Sequence, residues 1–402
     1  MLLHTSQNQR RGLADSYGYG INGVGDTPVY ASIVEHHTDA WAGELRVDGR
    51  FDLLGLEHSV SLGLESNWRG SDNKSGETYI GLANIYANNF TSLGTIPAGT
   101  LPFTFGRDFE TLNKAAYAQL VLSLTERTKL LAGARYDRAR QRSVNTLNGG
   151  AVVGAKMDEA ATFRAGLTHD LSGNITAYGT FAQSFNPVDL TSRSGDILDP
   201  ETGEGFEVGL KTEWFDKQLG ATLAVFRQDL DNRPIADPTN GPGENFNISS
   251  GLQRTNGVEI EVSGSPYPGV TLGAASAWLF AEFIDPLDEN FGLIPPETTS
   301  RQSSLFASYR FDQGMLEGFG VGATLVSIGK RWSISGGQNF FLEGHERVDL
   351  NVYYDGIPGL NLSLQVRNLL DATYIERNNG AFAFGHYFGS PRAVLFRAEA
   401  EF

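Results

Sequence analysis

Cysteine is absent from all 402 residues. Its absence excludes thiolate metal sites, disulfide frameworks and cysteine nucleophiles together. No run of about 18 apolar residues occurs either, so no helix of this chain can span a bilayer. The first residues, running to Arg10-Arg11, lack a basic start followed by an apolar stretch and are not expected to act as a secretory signal. Positive charge is in short supply: 31 Lys and Arg face 47 Asp and Glu, a net charge of −16. A field of that sign repels phosphate, which argues against a nucleic-acid partner and against attraction of the whole chain to an anionic surface. A membrane protein remains open only as a β-barrel.

What is present is an alternation of period two. Leu360, Leu362, Leu364 and Val366 interleave with Asn361, Ser363, Gln365 and Arg367. Phe206, Val208, Leu210 and Trp214 interleave with Glu207, Gly209, Lys211 and Glu213. The same pattern runs through Val348 to Tyr354 and through Val258 to Val262. Successive side chains on a strand point to opposite faces, so each segment has one apolar and one wet face.

A soluble sandwich would alternate in the same way; the connections separate the two cases. Short links with turn residues fall at Leu54-Gly55, Thr125 to Arg127, Ser172-Gly173, near Asp216, Ser265 to Gly269, Asp312 to Gly318 and Asp355 to Gly359. Long polar loops take turns with them, at 69–110, 143–158, 187–202, 233–251, 283–301, 330–344 and 377–390. Loops beyond about 12–15 residues are uncommon in compact soluble domains. The reading is therefore all-β: a transmembrane antiparallel barrel of about 16 strands, from 2–20 through 29–53 to 392–402. Tight turns would face the periplasm and long loops the outside. The last strand, with Val394, Phe396, Ala398, Ala400 and Phe402 on one face, ends on an aromatic residue like an outer-membrane assembly signal.

Little in the chain points to catalysis. Gly18-Tyr19-Gly20-Ile21-Asn22-Gly23 fits G-x-G-x-x-G, but no helix follows to hold a pyrophosphate. The rings of His36 and His37 face opposite sides of a strand, and His58, His169 and His345 have no partner at ligand spacing, so structural or lumen-facing roles are expected. The acidic stretches 71–77 and 285–290 lack the twelve-position calcium pattern and read as solvated loops. Aromatic residues do collect in long loops: Tyr79, Tyr86, Phe90, Phe103, Phe105 and Phe109; Trp332, Phe340 and Phe341; Phe382, Phe384, Tyr387 and Phe388. They suit either a vestibule for a large flat chelate or loops packed on one another.

Four stretches resemble the C-terminal barrel of TonB-dependent outer-membrane receptors, closest to the ferric-siderophore group. Phe51 to His58 is similar to the family's F-x-L-F-G-R-E-H turn. Leu198 to Lys211 resembles L-x-P-E-x-G-x-x-x-E-x-G-x-K. Asn368-Leu369-Leu370-Asp371-Ala372-Thr373-Tyr374 resembles N-L-F-D-x-x-Y, and Gly389-Ser390-Pro391-Arg392 resembles G-x-P-R. The resemblance implies one barrel unit over 1–402, in the bacterial outer membrane among lipid and lipopolysaccharide. The cargo would be a ferric siderophore, with iron arriving only inside the ligand and no built-in cofactor or metal. Family members have about twenty-two strands around a plug; the plug and the segment that contacts the TonB complex are expected to be missing here, as are about six strands. Ligand contacts would come from the outer lumen wall and loop bases, with Tyr17, Tyr19, Arg193, Trp332 and Tyr387 as candidates. No reaction is expected. The alternative is a passive porin-like channel; an enzymatic barrel comes third.

Overall fold

The structure, a computed structural model, describes residues 2–15, 25–84, 86, 101–147, 151–237, 239–240, 246–335, 338–378 and 386–401. Eight strands form the first half of one sheet. They are β1 (Leu2–Asp15), β2 (Asp26–Leu53), β3 (Leu56–Asn84), β4 (Phe105–Thr125), β5 (Thr128–Asn145), β6 (Ala151–Ser172), β7 (Ile175–Asn186) and β8 (Glu201–Trp214). The wall continues through β9 (Leu219–Ala236), β10 (Asn247–Gly264), β11 (Val270–Phe283), β12 (Arg301–Arg310) and β13 (Phe319–Ile328). A hairpin, β14 (Arg331–Ser335) with β15 (Gln338–Leu342), precedes β16 (His345–Ile357) and β17 (Leu360–Arg367). A second hairpin, β18 (Ile375–Asn378) with β19 (His386–Phe388), precedes β20 (Ala393–Ala400). Leaving out the hairpins, sixteen strands pair in chain order into a single sheet, each antiparallel to its neighbour.

Register assigns the faces. Leu45 lies opposite Leu64 and Val47 opposite Leu62, while the preceding Glu44, on the other face, lies opposite Glu65. Leu45 and Val47 are 66% and 62% exposed. Open apolar surface on one face and carboxylates on the other is the arrangement of a wall with lipid outside and water inside. The apolar face continues through Ala116, Ala118 and Leu120 on β4, Phe163 and Leu167 on β6, Phe206 and Val208 on β8, and Val225 on β9.

The periplasmic turns are short. At Leu54-Gly55 both residues have positive φ, 55° and 77°, the two-residue geometry whose twist matches the flanking strands. At the other rim the strands run further than the alternation suggested. β3 extends to Asn84 and β5 to Asn145, so most of 69–110 and 143–158, expected as loops, is strand. The acidic stretch 71–77 therefore lies in β3. Above the hydrocarbon both faces of a strand meet water, both become polar, and the period-two signal vanishes. With 28 and 29 residues, β2 and β3 far exceed the roughly 9–11 needed to cross.

Among the described residues no ladder joins β1 to β20; β1 pairs with β2 and β20 with β17. Every residue of β20 is exposed. The sheet is the wall of a barrel with two free edges.

Candidate lumen-facing ligand site

A cavity of about 590 Å³ lies against the inner face of β2–β5 near the outer rim. Its polar lining comes from inward positions fixed by the ladder: His36 opposite Asn73, Asn73 opposite Arg107, and Thr111 opposite Gln141. His36 and Asn73 side chains share a hydrogen bond, and Thr38 Oγ1 lies 2.7 Å from the other ring nitrogen of His36. Arg107 Nε donates to Ser143 Oγ at 2.7 Å, and its guanidinium lies 5.5 Å from the centre of the Phe109 ring. Among the described residues Arg107 Nη2 has no hydrogen-bond partner, nor have the amide oxygens of Asn113 and Gln141. The cavity therefore offers a cation, an aromatic face and unpaired amide oxygens together, with Arg69 and Asp189 completing its charges. Below it, Arg135 pairs with Glu65 at 2.7 Å and with Asp137 at 2.8 Å, a network across the inner wall.

The connection between β7 and β8 folds inward over this wall. Gln141, 1% exposed, donates from Nε2 to the Val188 carbonyl at 2.9 Å. Lys156 Nζ donates to the Leu198 carbonyl at 3.0 Å and to Asp199 at 2.6 Å. Val188, Ile197 and Leu198 are buried, and Thr191 bridges Ile197. Buried apolar anchors with buried donors explain why a polar loop is held to the lumen wall.

Of the five residues proposed from sequence, Tyr17 and Tyr19 lie outside the described residues, as does the glycine motif at 18–23. Arg193 joins two loops: its guanidinium lies 4.5 Å from the Phe246 ring centre and donates at 3.3 Å to the Thr239 carbonyl and to Asn240. Asp237 is 3.7 Å away. Hydrogen bonds from Thr239, and then the charge of Arg193, hold the Asp237 carboxyl below its usual range. Trp332 stands edge-on to Phe341 with centroids 5.1 Å apart, in a cavity of about 360 Å³ with Phe280 and Ile294. Phe280 shares the outward face of β11 with Trp278, so this cavity opens on the outer side of the wall. Tyr387, on β19, lies beneath the Arg377 guanidinium at 4.3 Å. The three are thus in three separate loop contacts, and none lines the cavity beside Arg107. Arg107, Gln141 and Asn113 were missed because an inward polar residue on a strand looks like any other until the register is known.

The remaining candidates are structural. His58 bridges Leu53 O and the Ser123 N–H, both at 3.2 Å, and stacks on Phe51. Asp285 accepts from Ser250 and from the Leu287 N–H, while Asp288 pairs with Arg233 and accepts from the Asn290 N–H. In the stretch 285–290, expected as a solvated loop, the Asp285 and Asp288 carboxylates are buried and satisfied, while Glu289 is exposed. Among the described residues no cluster of three or more His, Asp or Glu is placed to hold a metal.

A sheet with an apolar outer face, a wet inner face, short turns at one rim and long loops at the other defines an outer-membrane β-barrel protein. The TonB dependent receptor-like, beta-barrel family matches residues 3–369, and this chain belongs to that family. The metal-pseudopaline receptor CntO of Pseudomonas aeruginosa is 31% identical over 284 residues, 68% of this chain and 39% of that protein. The ferripyoverdine receptor of the same species is 26% identical over 405 residues, covering 94% of this chain and 47% of the receptor. The ferrichrome outer membrane transporter/phage receptor of Escherichia coli is 29% identical, with 67% and 36% covered. The crystal structure of the P. aeruginosa ferripyoverdine receptor bound to ferripyoverdine superposes with a TM-score of 0.84 at 22% identity, over all of this chain and 53% of the receptor. The chain thus spans less than half the length of these curated relatives.

Proposed function

We propose that the chain, as one unit over 1–402, is the barrel portion of an outer-membrane receptor that takes up a ferric siderophore, with transport driven through the TonB complex by a region outside this chain. The observation that carries the reading is the inner-wall cavity in which Arg107, half-buried with a free Nη2, lies beside Phe109 beneath an inward-folded loop. An aromatic face and a cation set in a partly dry wall suit a large chelate carrying negative oxygens. The names of the relatives support the same cargo. Tyr17, Tyr19, Arg193 and Tyr387 would contribute from the loops above, whereas Trp332 lines a cavity on the outer side of the wall. Iron enters as cargo; no reaction is catalysed, no cofactor is bound, nucleic acid is not a partner, and the surrounding lipid includes lipopolysaccharide.

The test is tryptophan quenching of the chain in detergent micelles by a panel of ferric hydroxamate, catecholate and carboxylate siderophores. Saturable quenching by at least one chelate is expected, weakened about tenfold or more in Arg107→Ala, the scale of one charge-assisted hydrogen bond. Absence of saturable quenching, together with unitary ion conductance in planar bilayers, would overturn the reading in favour of a passive channel.

A further inference from the structure

At the outer rim, three connections meet on the inward side of β16. His345 is the first residue of that strand, opposite Ile328 on β13. The outward neighbours at its level, Glu346 and Ser327, are polar, and the apolar belt begins below them with Val348 opposite Leu325. His345 therefore stands above the hydrocarbon. Its imidazole stacks flat on the Tyr374 ring, with centroids 3.9 Å apart and planes 9° apart. Tyr374 is buried and also packs on Gly389, where a Cβ would collide with the ring. The Tyr374 carbonyl accepts the Gly389 N–H at 2.9 Å. One ring thus joins both ends of the connection between β17 and β20 to the wall.

Two guanidinium groups flank the stack. Arg331 on β14, 8% exposed, donates to the carbonyls of Ile375, at 2.6 Å, and of Glu376, and lies 3.5 Å from the Glu297 carboxylate of the β11–β12 connection. Arg347, two residues along the same face of β16, donates to the Tyr374 hydroxyl and pairs with Asp349 at 3.1 Å. Ile328 brings no charge. The half-buried imidazole is pushed below its ordinary value by burial, then by Arg331 and Arg347, with Glu376 opposing them. His345 Nδ1 is buried, and among the described residues it has no hydrogen-bond partner. A neutral imidazole tolerates that nitrogen as an idle acceptor; an imidazolium makes it a donor with nothing to meet.

We propose that His345, Tyr374 and Arg331 form an acid-released latch that ties the connection between β17 and β20 to the outer end of the wall at neutral pH. The stack and the two carbonyl contacts of Arg331 fix residues 374–376 against β14 and β16. Protonation adds a third positive charge beside Arg331 and Arg347, together with an unmatched buried donor. Attraction of an imidazolium to the tyrosine face works against release, and those two costs outweigh it. A group whose pKa is lowered in the latched state takes up its proton on release. Latching is therefore fully present above the ordinary 6.5 and is lost as pH falls below it. The latch is independent of the ligand proposed for the lumen.

The full chain is reconstituted in nanodiscs, and hydrogen-exchange protection of the Gly389 N–H, corrected for intrinsic rates, is followed from pH 7.5 to 5.5. The Leu350 N–H, in mid-strand on β16, is the reference. Protection at Gly389 is expected to fall several-fold, with a ceiling of about tenfold set by one proton bound at an ordinary histidine, while Leu350 is unchanged. His345→Phe keeps a ring on Tyr374 without the titration and should hold protection level across the range. Should that variant fail to insert, nitrogen NMR of the His345 imidazole in the unmodified chain tests the same point, with a titration midpoint below 6.5 expected. A Gly389 indifferent to pH, an equal fall at Leu350, the same fall in His345→Phe, or an imidazole titrating at or above 6.5 would overturn the proposal.

Discussion

Asn368 shows how a family motif acts on the fold. It is fully buried with φ 52°, and its backbone N–H donates to Asp349 at 2.8 Å. Its Nδ2 donates to the carbonyls of Ala372 and Ser390, and its Oδ1 accepts the Ala372 N–H. Asp371 in turn accepts the Arg392 N–H, so the N-L-L-D and G-S-P-R stretches lock to each other. Asn368→Ala should destabilise this end by about 2 kcal/mol, because buried backbone groups lose their partners. Hydrogen exchange at Ala372 and Arg392 reads the loss; wild-type protection in the variant would contradict it. Leu54 gives the opposite case. It sits in the left-handed region and is 93% exposed, so no packing offsets its strain. Leu54→Asn should stabilise the folded barrel by about 1 kcal/mol in urea unfolding from lipid vesicles. Asp237 adds a pH dependence. Its lowered value means that its hydrogen bonds from Thr239, and then the Arg193 charge, stabilise the loops at neutral pH, a contribution lost as pH falls below the ordinary 3.8. Protease cleavage within 187–200 should therefore accelerate below that pH in the native protein and show no such step in Asp237→Asn.

At the scale of the element, glycines and aromatics meet across the ladders. Tyr117 lies opposite Gly63, Tyr178 opposite Gly209, Phe226 opposite Gly257 and Tyr353 opposite Gly320. In each pair a Cβ on the glycine would fall within 2.6 Å of the ring. The ring covers the bare backbone that glycine leaves on the inner face, as aromatic rescue does in designed sheets. This accounts physically for the last glycine of the E-x-G motif, Gly209, with Glu207 accepting the Tyr178 hydroxyl at 2.7 Å. Gly257→Ala should cost about 1–3 kcal/mol by overpacking, and Phe226→Ala in the same chain should recover part of it. Additive losses would rule the contact out. Where the alternation was clear the strand could be read directly: 360–367 is β17 to the residue. The hairpins β14–β15 and β18–β19 could not, because strands of three to five residues are too short for an alternation such as Trp332 and Ile334 to stand out from a loop. Arg193 and Trp332 were chosen by side-chain type and position, whereas the residues lining the cavity with Arg107 are brought together only by the pairing of strands 30–40 residues apart.

For the whole molecule, the account rests on which way the wall faces. Connection lengths and alternation were enough to infer a barrel of about sixteen strands, because those features follow from lipid outside and water inside. The two free edges do not follow from any local pattern. Among the described residues β1 pairs only with β2 and β20 only with β17, and the backbone groups on their other sides would be costly in lipid without a partner. The absence of cysteine makes the orientation directly measurable. Single cysteines at 44, 45, 46, 47, 61, 62, 63 and 64 carry a nitroxide in the chain reconstituted in lipid vesicles, and relaxation by oxygen is compared with relaxation by a water-soluble nickel chelate. The account predicts oxygen-dominated relaxation at 45, 47, 62 and 64 and nickel-dominated relaxation at 44, 46, 61 and 63. Equal accessibility on the two sets, or the reverse assignment, would contradict it.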